Sequence, residues 1–267
     1  MATAIAVCGA KGRMGRRVVA LAHEDDAFRV AAALVRPGDP EIGSDAGAAL
    51  GLGGPIDVAL TDVLDETAGA QALVDFSVAE AAADRVAEAA RLGVGSIVCT
   101  TGLDDAARKK IGAAAQKVPV VVAANTSLGI TVLKRFAADL ARALGEDYDV
   151  EIAEAHHRFK KDAPSGTALL LANAVAEALG RDPAKAIVHG RHGAAPRRPG
   201  EIGVHALRMG DVVGEHTISF AALGERIELG HRAHTRDTFA RGALRAARWL
   251  VGRPPGLYGM EDVLGLR

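Results

Sequence analysis

The sequence predicts an α/β protein: a parallel sheet with helices on both faces, plus a smaller α+β domain with a mixed sheet. Three observations carry that expectation. In the first half, short runs of β-branched and small apolar residues recur between amphipathic segments. Those runs lack polar alternation, which marks strands buried on both sides. In the second half, strand-like runs follow one another directly and alternate polar with apolar residues, so one sheet face there is expected to be wet.

Residues 3–8 form the first expected strand, and Met14, Val18, Leu21 and Ala22 mark a helix after it at i, i+4, i+7 and i+8. Further strands are expected at 30–35, 57–60, 73–76, 94–99 and 118–123, with helices at 80–92 and 104–116. Leu133, Phe136, Ala137, Leu140 and Leu144 then mark a helix leading into a strand at 148–155. There Tyr148, Val150 and Ile152 alternate with Asp149 and Glu151. A helix at 166–179 carries Leu169, Ala172, Val175, Ala176 and Leu179 on one side, and strands follow at 202–209, 215–221 and 225–232. Residues 188–199 have several breakers and no periodicity, the pattern of a long surface loop, which is often functional. A last helix at 238–251 has Phe239, Ala243, Ala246, Ala247 and Leu250 on one stripe, and its pattern assigns it to neither half.

A chain of 267 residues allows one large domain or two modest ones. Aromatic residues are only 3%, so the core is built mainly from Ala, Val, Leu and Ile. Thirty-two basic side chains balance 33 acidic ones, which gives no electrostatic reason to expect nucleic acid or a membrane surface as partner. Cys8 and Cys99 both end apolar runs. Two thiols make no disulfide framework, and a reducing compartment fits them better. The opening residues lack a basic leading stretch, and no apolar run approaches 18 residues. The expected location is cytoplasmic.

Gly9-Ala10-Lys11-Gly12-Arg13-Met14-Gly15 directly follows the first strand and opens the first helix. Glycines there permit a tight bend and let the backbone approach a pyrophosphate, and the helix start offers unpaired N–H groups with a partial positive charge. This strand–turn–helix context predicts a Rossmann-type dinucleotide site; a turn serving packing alone is the other reading. The end of the second strand reads Leu34-Val35-Arg36-Pro37-Gly38-Asp39. A carboxylate at that place would bind the ribose of NAD, and an arginine the 2′-phosphate of NADP. With Arg36 present and no acid at the strand end, NADPH is favoured over NADH. Asp39 could still reach a ribose if the loop folds back.

The second chemical segment is Glu154-Ala-His-His-Arg-Phe-Lys-Lys-Asp-Ala-Pro-Ser-Gly-Thr167. His156 and His157 end a strand, Lys160 and Lys161 follow, and Ser165, Gly166 and Thr167 start a helix. A hydroxyl, free N–H groups and the helix dipole together make an anion site. Imidazole and ammonium groups beside it suit a dianionic substrate that must be protonated during reduction. An ordinary basic surface with a capped helix is the other reading. A metal site does not fit, because adjacent histidines on a strand diverge and no further ligand has suitable spacing.

These residues resemble the dihydrodipicolinate (4-hydroxy-tetrahydrodipicolinate) reductase family of lysine and diaminopimelate biosynthesis. The resemblance runs along the whole chain: Cys8-Gly-Ala-Lys-Gly-Arg-Met-Gly15, Val74-Asp-Phe-Ser77, Cys99-Thr-Thr-Gly102, Ala123-Ala-Asn-Thr-Ser127, Gly200-Glu-Ile-Gly203, Gly210-Asp-Val-Val-Gly-Glu-His216 and Gly224-Glu-Arg226. It implies a dinucleotide-binding domain of residues 1–127 and 237–267, and a substrate-binding and oligomerisation domain of residues 128–236. It also implies that Gly9, Ala10, Lys11, Gly12, Arg13 and Met14 hold the pyrophosphate and that Arg36 holds the 2′-phosphate of NADPH. Cys99, Thr100, Thr101, Ala123, Ala124, Asn125 and Thr126 would line the nicotinamide side. His156 and Lys160 would be catalytic; His157, Ser165, Gly166 and Thr167 would hold a small dicarboxylate substrate. Members of the family are usually homotetramers joined through the substrate-domain sheets. Two positions depart from the family pattern: Cys99 stands where glycine is usual, and Val35 where many members carry an acid.

Overall fold

The computed structural model describes residues 1–266. Arg267, the end of the expected C-terminal return, lies outside the described residues. The chain forms two compact units, one of residues 1–128 together with the chain from Arg236 onward, the other Gly129–Thr235.

The first unit begins β1 (Thr3–Cys8), α1 (Arg13–His23), β2 (Phe28–Leu34), α2 (Ala46–Leu50), β3 (Leu60–Thr61), β4 (Ala72–Asp75), α3 (Ala79–Arg91), β5 (Gly95–Val98), α4 (Asp105–Ala115) and β6 (Pro119–Val122). The second unit holds α5 (Leu128–Leu144), β7 (Asp149–His156), α6 (Gly166–Ala178), α7 (Pro183–Ala186), β8 (Ile187–His189), β9 (Ile202–Arg208), β10 (Gly214–Ala222) and β11 (Glu225–Ala233). The chain then supplies α8 (Asp237–Leu250), β12 (Gly256–Tyr258) and α9 (Met260–Val263) to the first unit.

The seven strands of the first unit are all parallel, in the order β12-β6-β5-β4-β1-β2-β3. Alternate residues of one strand feed cores on opposite faces. Ile5 and Val7 pack with α1 and α8, while Ala6 and Cys8 share a cluster with Ala89 of α3. Ile97 and Val121 join the first core, and Val98 and Val120 pack with α3 and α4. Burial on both faces is why these runs contain no polar alternation. The final helix, α8, places Ala240, Ala243, Ala246, Ala247 and Leu250 in the first-unit core.

The second unit is a five-stranded mixed sheet, β11-β10-β7-β9-β8. β10 pairs antiparallel with β11 and β7, while β9 pairs parallel with β7 and β8. One face, with Val150, Ile152, Val204, Ile218 and Phe220, packs against α5 and α6. On the other face Glu151 bonds Arg191 at 2.9 Å, His205 at 2.6 Å and Arg197.

Two local expectations change. The strand expected at 57–60 shrinks to Leu60–Thr61, because Asp57 sits at φ 58° and Ala59 makes only an isolated antiparallel bridge to Asp45. The expected loop at 188–199 starts later, because Ile187–His189 pairs with β9. Its first backbone N–H beyond that strand, on Gly190, still donates to Val204 O at 3.1 Å.

Candidate active site

In the first unit, the turn after β1 is built by backbone. Gly9 adopts φ 75°, and a Cβ there would lie 2.7 Å from Phe76 O. A Cβ on Gly15 would lie 2.1 Å from Gly9 O, so the turn and the first helical turn touch. The Gly12 N–H donates back to Gly9 O at 2.8 Å, and Ala10 N–H to Leu34 O at 3.0 Å. Gly12 caps α1 with no side-chain hydrogen bond, leaving the helix start open to a ligand's oxygens. A dinucleotide pyrophosphate fits this cradle: the missing Cβ atoms let the turn fold tightly against Phe76 O and the first helical turn, and the uncapped helix start supplies the donors. Arg13, at that start, is exposed, and Met14 packs partly against the core.

Lys11 reaches across to Asp39 Oδ1 at 2.8 Å and Glu41 Oε2 at 2.5 Å. The Lys11 bond holds the Asp39 carboxyl below its usual range. Asp39 is therefore engaged, whereas the Arg36 side chain is 82% exposed, with its Nε 4.0 Å from Asp39 Oδ2.

At the ends of β4 and β5, the buried Asp75 carboxylate accepts from Ser77 Oγ and Thr100 Oγ1, both at 2.6 Å. Thr101 beside it is exposed. Cys99 lies in the core shared with α1 and α8, and its N–H donates to Asp75 O at 2.9 Å. Burial pushes its thiol well above the ordinary value, with the Asp75 charge adding to the effect. Burial likewise pushes Cys8 up to about 12. Both sulfurs are inert packing atoms at neutral pH. After β6, Ala123 is buried, Ala124 exposed and Asn125 half-buried. Asn125 Oδ1 accepts from Ser127 N–H at 2.8 Å, and Thr126 Oγ1 donates to Phe239 O at 2.7 Å, tying this loop to α8.

In the second unit, strand parity assembles the site. Glu154 and His156 share the face of Val150 and Ile152 on β7. Glu154 lies opposite His216 of β10, and His156 opposite Arg208 of β9. Glu154 is buried, and its carboxylate accepts four bonds. Arg208 supplies two at 2.9 Å, Ser165 N–H one at 3.0 Å, and His156 Nδ1 one at 2.6 Å. Burial works to raise the Glu154 carboxyl, but Arg208, His156 and the Ser165 amide together hold it below its usual range. His156 moves down from its ordinary value: burial lowers it, Glu154 opposes that, and Lys160 and Arg208 add to the lowering.

Ser165 caps α6, its Oγ accepting from Ala168 N–H at 3.1 Å and lying 3.2 Å from His216 Nε2. The start of this thirteen-residue helix carries Gly166 and Thr167, as the sequence anticipates. His216 meets the His156 ring edge-on at 5.3 Å, and burial lowers it to about 4, so it is neutral at physiological pH. Lys160 Nζ lies 2.8 Å from both Asp162 oxygens. His157 sits past the end of β7, its ring 6.4 Å from Phe159.

Within the second unit, then, His156, Ser165 and Arg208 meet on the Glu154 carboxylate, Arg208 also bonds the Asp162 backbone whose side chain holds Lys160, and Gly166 and Thr167 follow Ser165 at the start of α6. Sequence reasoning gave no role to Glu154, Arg208 or His216. A signal was present: all three fall on the core parity of their strands, where a charged or imidazole side chain needs a reason.

A family model described as "Dihydrodipicolinate reductase, N-terminus" matches residues 3–126, and one described as "Dihydrodipicolinate reductase, C-terminus" matches residues 129–264. The chain is 49% identical to a 4-hydroxy-tetrahydrodipicolinate reductase of Anaeromyxobacter dehalogenans strain 2CP-1, over 99% of this chain and 98% of that one. It is also 49% identical to one from Thiobacillus denitrificans, over the full length of both. Among solved structures, a dipicolinate-bound dihydrodipicolinate reductase from Paenisporosarcina sp. TG-14 shares the fold. Its TM-score is 0.77 at 23% identity, covering 98% of this chain and 99% of that one.

Proposed function

The chain belongs to the dihydrodipicolinate reductase family, and from that premise we propose that it reduces 4-hydroxy-tetrahydrodipicolinate to tetrahydrodipicolinate with loss of water, using NAD(P)H. It is an oxidoreductase of amino-acid biosynthesis, acting on a small dicarboxylate. The observation that carries the reading is the Glu154–His156–Arg208 arrangement beside the Ser165 helix start, which follows the Lys160–Asp162 pair by three residues in the chain.

Residues 1–127 with 237–267 serve as the dinucleotide-binding domain, and residues 128–236 as the substrate and oligomerisation domain. Gly9, Ala10, Lys11, Gly12, Arg13 and Met14 hold the pyrophosphate. Cys99, Thr100, Thr101, Ala123, Ala124, Asn125 and Thr126 line the nicotinamide, Cys99 through its backbone because its sulfur is in the core. The bound nicotinamide supplies a hydride. Arg36 takes the 2′-phosphate, so NADPH is preferred; the support is its exposure together with the engagement of Asp39 by Lys11.

His157, Ser165, Gly166 and Thr167 bind the substrate carboxylates with the dipole and N–H groups of α6. Lys160 and His156 are the catalytic residues that deliver the proton the reduced product requires. Because the ionised Glu154 only accepts, His156 Nδ1 carries a hydrogen and Nε2 is the atom that takes or gives a proton. The enzyme works as a cytoplasmic homotetramer. Among the described residues no helix is long and apolar enough to cross a membrane.

The test is spectrophotometric: purified protein, NADPH or NADH, and substrate generated in situ by the preceding synthase. Loss of reduced-cofactor absorbance is expected, faster with NADPH. No oxidation with either cofactor would overturn the reading.

A further inference from the structure

A carboxylate at a core position of a sheet costs several kcal/mol unless paired and fully bonded. Glu154 meets that requirement with four bonds, and Arg208 supplies half of them. Arg208 does more than neutralise the charge. Its Nη2 also donates to Asp162 O at 2.5 Å, and its Nη1 to Leu207 O at 2.6 Å. Asp162 in turn holds Lys160 Nζ at 2.8 Å through both carboxylate oxygens. One guanidinium thus touches the acid that orients His156 and the backbone of the acid that holds Lys160. A purely structural ion pair would need only the two-pronged contact with Glu154.

We propose that Arg208 and Glu154 are positioning residues that register the two proton-carrying side chains, His156 and Lys160, and fix His156 as a ring that exchanges its proton only through Nε2. This rests on the roles given above to His156 and Lys160. The ionised Glu154 accepts from Nδ1, so neutral His156 carries its hydrogen there, and the protonated ring returns to that same form when it gives up the Nε2 proton. The charged and titrating groups that face His156 are Glu154 on its own strand, Arg208 from β9, His216 from β10 and Lys160 from the following loop. His231 of β11 lies opposite His216 in the sheet register. Glu154 favours the protonated ring, while Arg208 and Lys160 oppose it. The neutral His216 fills the space beside the ring without adding charge, and its Nε2 meets Ser165 Oγ, whose own N–H bonds Glu154.

The experiment is a nuclear magnetic resonance titration of the His156 ring in full-length protein with labelled histidine, assigned by His156→Gln. It is run alongside steady-state kinetics and calorimetric NADPH binding. In Glu154→Gln the His156 midpoint should fall, since the supporting charge is lost. In Arg208→Met it should rise, since an opposing charge is lost and Glu154 is no longer shared. Both variants should lose kcat about 10- to 100-fold, the usual cost of removing a residue that orients a functional ligand. NADPH affinity should stay within about twofold of wild type, since the changed residues lie outside the first unit. Arg208→Lys keeps the charge without the two-pronged bond, so it should fall between wild type and Arg208→Met in kcat, and it serves if the methionine variant does not fold.

Midpoints that stay fixed or move together in Glu154→Gln and Arg208→Met, or kcat within about threefold of wild type in both, would overturn the proposal. The ring titration needs no turnover. A wild-type protein that oxidises no cofactor would sink the functional reading, and the opposite shifts would still decide this one.

Discussion

The candidate sites of the two units are built from different materials. The first uses backbone: Gly9, Gly12 and Gly15 let neighbouring backbone segments pack closely, an uncapped helix start presents N–H groups, and the nearby cysteines are buried and unreactive. The second uses ionisable side chains on one sheet face, held by a carboxylate that is itself held by an arginine. On the functional reading proposed above, the cofactor turn draws mainly on backbone and the proton chemistry on titrating side chains, so pH should act chiefly on the second unit. Substitutions should therefore separate cleanly by unit.

The largest effect expected from breaking that separation is Lys160→Ala. Loss of a proton donor typically costs 10²- to 10⁴-fold in kcat, and calorimetry should find NADPH binding unchanged. Next is acid sensitivity of the second unit. Folded His216 resists protonation down to about 4, whereas in the unfolded chain it takes a proton near 6.5. Below that pH the unfolded state binds the extra proton, so stability falls as pH drops from about 6.5 toward 4, by about 3 kcal/mol at most. Glu154, depressed in the folded state, adds loss in the same direction at lower pH. Denaturant unfolding of His216→Asn should show a shallower acid decline than wild type; equal slopes would remove His216 as the cause.

Gly15→Ala sharpens the comparison from the other side. Its Cβ would press on Gly9 O, and overpacking of this kind costs about 1–3 kcal/mol. NADPH affinity by calorimetry should weaken as the turn shifts, while the His156 titration midpoint, which reads the second unit, stays as in wild type; unchanged NADPH affinity would remove Gly15 from the cofactor turn. The smallest effect expected is that of Arg36→Ala. Losing one exposed contact to the 2′-phosphate should weaken NADPH about tenfold, near 1.4 kcal/mol, and leave NADH unchanged. Equal weakening of both cofactors would show that Arg36 does not read the phosphate.

How far these features were legible in the sequence depends on the length over which each pattern is averaged. β1, β4, β5 and β6 were readable because burial on both faces keeps the runs mostly apolar, with Thr3, Asp75 and Ser96 as isolated exceptions that create no polar alternation. The 57–60 run failed because four residues cannot reveal that Asp57 takes a left-handed turn and leaves only Leu60 and Thr61 to pair. β12 and α9 are too short for any period to register. His156, Lys160 and the Ser165 helix start were visible because they are contiguous. Arg208 and His216 were not, since pairing across β9 and β10 brings them to Glu154 from 54 residues and 62 residues away in sequence. Sheet register, which a single sequence does not state, makes that half of the site.

The most direct measurement of the central claim is a paired one on a single preparation of His156→Gln: kcat for NADPH oxidation with in-situ substrate, and the Kd for NADPH by calorimetry. The account predicts a fall in kcat of about 10²-fold or more with Kd within about twofold of wild type. Wild-type turnover, or a loss of NADPH affinity that matches the loss of rate, would contradict it.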